Sequence, residues 1–128
     1  MLSRVVVGRG ERLRRDSEFA NVRTHGRTWS SQLVVIKALP NGLDRNRYGF
    51  VVGRHIGKAV ARNRVKRRLR EIVRLTPMGS GWDVVLVARG GSAEASYREL
   101  NEAARRLLLR GGILAGSGDG GRTGRVGG

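Results

Sequence analysis

The stretch Lys58-Ala59-Val60-Ala61-Arg62-Asn63-Arg64-Val65-Lys66-Arg67-Arg68-Leu69-Arg70-Glu71-Ile72-Val73-Arg74-Leu75 reads as one amphipathic helix, and the rest of the chain is arranged around it. Nothing inside it breaks a helix, and Pro77, Gly79 and Gly81 stop it. At about 100° per residue, Ala61, Val65, Leu69, Ile72 and Val73 share an arc of about 120°, while Asn63, Lys66, Arg67, Arg70 and Arg74 spread over the opposite arc. One face packs and the other is charged. Nine of the 26 basic residues lie between Arg54 and Arg74, opposed only by Glu71, so this segment holds half of the formal charge of +16. Like charges at helical spacing weaken an isolated helix by a few tenths of a kcal/mol per pair. An ordinary solvated face alternates in sign. A polyanion, most simply RNA, accounts better for a packed helix with this much charge of one sign.

Working outward, Trp82 to Ala88 is apolar enough for a central, well-covered strand, and Arg47 to Val52 is a strand with Tyr48, Phe50 and Val52 on one face. With the basic helix between them they form a β-α-β unit. Upstream, Ser31 to Leu39 alternates so that Val34, Ile36 and Ala38 face one way and Leu33, Val35 and Lys37 the other. Pro40-Asn41-Gly42 breaks that strand, and its simplest partner is the Arg47 strand in an antiparallel hairpin. A first helix is capped by Asp16 or Ser17, carries Phe19, Ala20 and Val22 near one side and stops at Gly26. A last helix opens on the capping box Ser96-x-x-Glu99 and repeats Tyr97, Leu100, Ala103, Ala104, Leu107 and Leu108 up to Gly111-Gly112. The expected fold is α+β, a single α/β sandwich of α-β-β-α-β-α order, with a mixed sheet and helices packed on it.

The 128 residues fit one domain: an N-terminal extension over 1–10, an RNA-binding domain over 11–112 and a flexible Gly-rich tail over 113–128. The tail, with Arg122 and Arg125, is either dispensable or an accessory RNA-touching segment. The chain has no Cys, which removes disulfides, thiol nucleophiles and Cys-based zinc sites and fits a reducing cytosol. No apolar run reaches 18 residues, so no membrane partner is expected and the location is read as cytoplasmic. The pI near 11.9 implies strong attraction to nucleic acid or to an anionic membrane surface. Arg outnumbers Lys 23 to 3, a bias open to two readings: forked phosphate contacts, or the codons of a GC-rich genome. His25 and His55 lack companions at ligand spacing and the ten acidic residues are scattered, so no catalytic residue and no metal site is assigned. Trp29, Phe50, Trp82 and Tyr97 are read as packing residues. Phe19 is open to two readings, core residue or stacking platform. Asn63 is either a plain surface residue or a neutral donor and acceptor for ribose or phosphate.

The run Val52-Gly53-Arg54-His55-Ile56-Gly57-Lys58-Ala59-Val60-Ala61-Arg62-Asn63-Arg64-Val65-Lys66-Arg67-Arg68-Leu69-Arg70-Glu71 resembles the signature of the bacterial ribonuclease P protein subunit, centred on Arg-Asn-Arg followed by Lys-Arg. Element order agrees from about residue 10 to 110, with Phe19-x-x-Val22-x-x-x-Gly26 before the first strand and Val85-Val87-Ala88-Arg89 ending the third. The resemblance implies a small subunit of a tRNA-processing endoribonuclease, a hydrolase whose catalytic RNA does the cutting. The protein would bind that RNA and the 5′ leader of precursor tRNA. It would not cleave alone, and it would hold no cofactor of its own. Magnesium would be needed by the ribonucleoprotein, at a level the protein lowers. No obligate protein partner is implied.

Carried over by residue, the resemblance places Arg54, Lys58, Arg62, Asn63, Arg64, Lys66, Arg67, Arg68 and Arg70 against RNA. It places Phe19, Arg23, Lys37 and Arg89 at a leader cleft between the first helix and the sheet. Arg23 and Lys37 stand where the family often has aromatics, which shifts the expected leader contacts from stacking toward cations. The resemblance also implies a left-handed β-α-β crossover, although about 98% of such connections are right-handed. The competing function is a ribosomal or other structural RNA-binding protein, which composition alone leaves open. A nuclease acting by itself is poorly supported for want of clustered carboxylates.

Overall fold

In the computed structural model, which describes residues 11–115, the apolar segment Trp82–Ala88 occupies the centre of a five-stranded sheet. The elements are β1 (Glu11–Arg12), α1 (Asp16–His25), β2 (Arg27–Ser30), β3 (Val34–Pro40), β4 (Arg47–Val51), α2 (Ala59–Leu75), β5 (Trp82–Ala88) and α3 (Tyr97–Arg110), with 3-10 turns at Arg54–Ile56 and Gly90–Ala93. The strands lie in the order β1-β4-β5-β3-β2. Pairs β1–β4 and β4–β5 are parallel, and pairs β2–β3 and β3–β5 antiparallel. The sheet is mixed, as expected, but two short strands, β1 and β2, add to the predicted order.

The expected hairpin between the Ser31–Leu39 and Arg47–Val52 segments does not form. Strand β5 is buried along both faces and therefore needs a neighbour on each edge. It takes the place between β3 and β4. The connecting loop is pinned across the start of β5 instead of turning tightly. Asn41 N–H donates to the Gly81 carbonyl at 2.9 Å. The fully buried Asn46 accepts from Trp82 N–H at 2.8 Å and donates to the Gly79 carbonyl at 2.7 Å and the Tyr48 hydroxyl at 2.9 Å.

Helices α2 and α3 cover one face, where Val65, Leu69, Ile72, Leu100, Ala104, Leu107 and Leu108 pack on Val34, Ile36, Tyr48, Val84 and Leu86. Helix α1 covers the other face, where Leu13, Val22 and Val85 are buried with Phe19, Leu39 and Val87 against them. The β4–α2–β5 crossover is left-handed, and Tyr48 shows why. Its carbonyl accepts from Leu13 N–H at 2.9 Å, so its amide groups face β1 and its Cα–H faces β5. Its side chain lies in the α2–α3 core. For an L-residue those three directions put β5 to the left of β4 when the sheet is viewed from the helix side with these strands pointing up. The general preference for a right-handed connection fails here, and the family resemblance holds.

Helix boundaries follow local chemistry. The residue that caps α1 is Arg15 rather than Asp16 or Ser17, and Glu18 reaches back so that its Oε1 accepts from the N–H of Arg14 at 2.9 Å and of Arg15 at 3.3 Å. Gly26 ends α1 as expected. At α3 both halves of the predicted capping box are present: Glu99 N–H to Ser96 Oγ at 3.0 Å and Ser96 N–H to Glu99 Oε1 at 2.8 Å. The domain runs past the boundary drawn at residue 112. Ile113 is fully buried, Leu114 bridges to Met78 and Ala115 N–H donates to the Pro77 carbonyl. The rest of the expected tail, 116–128, and the extension 1–10 lie outside the described residues.

Candidate nucleic-acid interface

Helix α2 turns its apolar arc inward as its spacing demands, with Val65, Leu69 and Ile72 at 0% exposure. Burying those branched side chains contributes roughly 1.5–3 kcal/mol each, which offsets the repulsion among the cations. The basic residues do not all share one role. Asn63, Arg67 and Arg70 are exposed on the helix, and Arg54 and Lys58 stand exposed on the approach to it. Arg64 and Lys66 are half-buried at its margins. Arg62 and Arg68 flank the apolar arc and fasten the helix to neighbouring backbone. The Arg62 guanidinium donates to the Gly57 carbonyl at 2.8 Å and that of Arg68 to the Ala95 carbonyl at 3.1 Å. Arg74 forks onto Glu71 at 2.7 and 3.1 Å. That pairing holds the Glu71 carboxyl below its usual range and raises Arg74 further, so the unopposed charge ends one turn before the helix does.

The α1 side of the sheet forms the second surface. Strand registers set Gly49, Val85, Lys37 and Thr28 in one row and Val51, Val87, Val35 and Ser30 in the next. Strands lie about 4.8 Å apart, so Lys37 stands about 10 Å from Gly49 along its row. Phe19 lies directly on Gly49. Arg23 is exposed one turn further along the same stripe of α1. Arg89 continues the β5 alternation in extended conformation. It is held at the end of this surface by its N–H to the Leu33 carbonyl at 2.9 Å and its guanidinium to the Ser31 carbonyl at 3.1 Å. Phe19, Arg23, Lys37 and Arg89 therefore border one partly apolar floor beside α1, and none of them lies in the α2–α3 core.

The two surfaces meet at the outer edge of β4. Lys66 and Arg70 of α2 line a hollow together with Phe19, Gly49, Phe50, Leu13 and Arg12. Phe50, expected only to pack, lines this hollow, and so does Arg12, which no sequence pattern marks. Arg12 belongs to a two-residue strand, too short for any periodicity to mark it. Gly49 could have been found, since glycine inside a strand marks a close approach. Among the described residues, no group of three or more His, Cys, Asp or Glu side chains could hold a metal ion. The arrangement offers cations, an aromatic ring and an apolar floor, a set that binds an anionic strand with unstacked bases.

The family model described as Ribonuclease P matches residues 7–111. The chain is 42% identical over 104 residues to the "Ribonuclease P protein component" of Dehalococcoides mccartyi, covering 81% of this chain and 87% of that protein. It is 44% identical over 101 residues to the protein of the same description from Caldanaerobacter subterraneus, covering 77% of this chain and 87% of that one. Among solved structures, the RNase P protein from Thermotoga maritima superposes with a TM-score of 0.68 at 33% identity, over 77% of this chain and 94% of that chain. The Staphylococcus aureus RNase P protein shares the fold, with a TM-score of 0.69 at 21% identity over 78% of this chain and 94% of that chain.

Proposed function

The chain belongs to the ribonuclease P protein family, and on that premise we propose that it is the RNA-binding subunit of the ribonucleoprotein that removes the 5′ leader from precursor tRNA. In this reading the α2 face docks on the catalytic RNA and on the junction between leader and tRNA. The leader runs through the cleft bordered by Phe19, Arg23, Lys37 and Arg89. The catalytic RNA carries out the hydrolysis in the cytoplasm with magnesium. The protein supplies fixed positive charge where two RNA backbones approach one another, which lowers the magnesium needed to screen them.

The observation that carries this reading is the hollow at β4, where Lys66 and Arg70 of the basic helix share a wall with Phe19 of the cleft. A strand that leaves the cleft beside Phe19 meets Lys66 and Arg70 within the same hollow. The test is the affinity of the reconstituted complex for precursor tRNA against mature tRNA. Tighter binding of the leader-bearing form is expected. Equal affinity would favour the purely structural RNA-binding protein.

A further inference from the structure

Helix α1 carries the cleft's aromatic ring, yet among the described residues only Val22 of that helix is buried. Beside that apolar packing the structure supplies a polar clamp. Arg47 and Gly49 lie on the same face of β4, two residues apart, and receive the consecutive residues Glu18 and Phe19 of α1. Arg47 Nη1 meets Glu18 Oε2 at 3.0 Å, and the Phe19 ring seats on Gly49. The other side of the guanidinium is anchored. Arg47 Nε and Nη2 fork onto Asp83 of β5 at 2.8 and 2.7 Å, and Asp83 is nearly buried and takes a further bond from Asn41 Nδ2 at 2.9 Å. Glu18 is anchored in turn by the N–H groups of Arg14 and Arg15.

We propose that Arg47, held by Asp83 and gripping Glu18, is a positioning residue that sets the opening between α1 and the sheet, and so tunes how strongly the cleft grips the single-stranded leader. The inference rests on the leader-binding reading above. In this role Arg47 acts through Glu18 on the neighbouring ring. A planar fork suits the role because it fixes two carboxylates on different elements at once, which a single ammonium does less well.

The probe is Glu18→Gln. Its amide oxygen still accepts from Arg14 and Arg15, but its nitrogen turns a donor toward Arg47 and the grip is lost. In the complex reconstituted with a family catalytic RNA, the ratio of affinities for precursor and mature tRNA is measured for wild type, Glu18→Gln and Phe19→Ala. The expected result is a drop in that ratio of about threefold to tenfold for Glu18→Gln, with mature tRNA affinity unchanged. An unchanged ratio for Glu18→Gln beside a reduced one for Phe19→Ala would overturn the clamp and leave the leader-binding reading standing. Equal weakening on both substrates would mark Glu18 as merely structural and also overturn it. A wild-type ratio of one would remove the leader-binding reading itself. If Glu18→Gln fails to fold, the double variant Arg47→Met, Asp83→Asn, which removes the guanidinium together with the nearly buried carboxylate that anchors it, is judged by the same ratio.

Discussion

Phe19 occupies the space where a side chain on Gly49 would begin: an ideal Cβ there would lie 2.6 Å from Phe19 Cζ. The strand glycine and the helix aromatic are therefore one feature. Gly49→Ala should lift the ring and tilt the first turn of α1, costing about 1–3 kcal/mol as an overpacked contact does. Chemical denaturation measures that cost, and leader-dependent affinity should fall with it. A variant of unchanged stability and leader preference would show that the ring does not depend on this seat.

The basic residues of α2 should separate into two groups under mutation. Arg67→Ala removes an exposed cation, so it should weaken binding to the catalytic RNA with the unfolding midpoint unchanged and should flatten the dependence on salt. If about six side chains contact irregular RNA, the log–log slope is about −4, and losing one brings it to about −3.5. Arg68→Ala gives up the hydrogen bond to the Ala95 carbonyl as well, so it should also lower stability by about 0.5–1.5 kcal/mol. Identical behaviour of the two variants would contradict the division between them.

Leu69 is completely buried beneath α2, and Leu69→Ala should cost about 2–5 kcal/mol of folding stability. A loss below about 1 kcal/mol would mean that the helix is not held by its apolar arc.

Acid should loosen the first helix through Glu18. Its carboxyl lies below the ordinary value of 4.5, first because it accepts from the backbone N–H of Arg14, then from that of Arg15, with Arg47 adding attraction. A carboxyl whose folded pKa is depressed stabilises the fold fully above the unfolded value and loses that contribution as pH falls through the folded one. Stability should therefore decline below about pH 4.5. Urea titrations at several pH values should show a shallower decline for Glu18→Gln, and parallel declines would exclude Glu18 as a cause.

The parts of this molecule that obey a local period were legible in the sequence. Val65, Leu69 and Ile72 marked the buried arc of α2, Val34, Ile36 and Ala38 the inward face of β3, and Ser96 with Glu99 the start of α3. The hairpin expected from sequence proximity does not form because strand pairing is not local: β5 lies between β3 and β4, and the side-chain bonds of Asn46 pin the connecting loop across its start. Hand of crossover left no trace in composition or spacing, and came only with the family resemblance. At the candidate site, the positive face was plain, whereas the anchoring of Arg62 and Arg68 and the clamp through Arg47 depend on partners at Gly57, Ala95, Glu18 and Asp83. In three of those four links, residues 27 or more positions apart come together.

Magnesium dependence tests the central claim most directly. Cleavage of a precursor tRNA by a family catalytic RNA, followed across a magnesium titration with and without this protein, should reach half its maximum at a lower magnesium concentration when the protein is present. Superimposable curves, with the protein folded and in excess, would contradict the account.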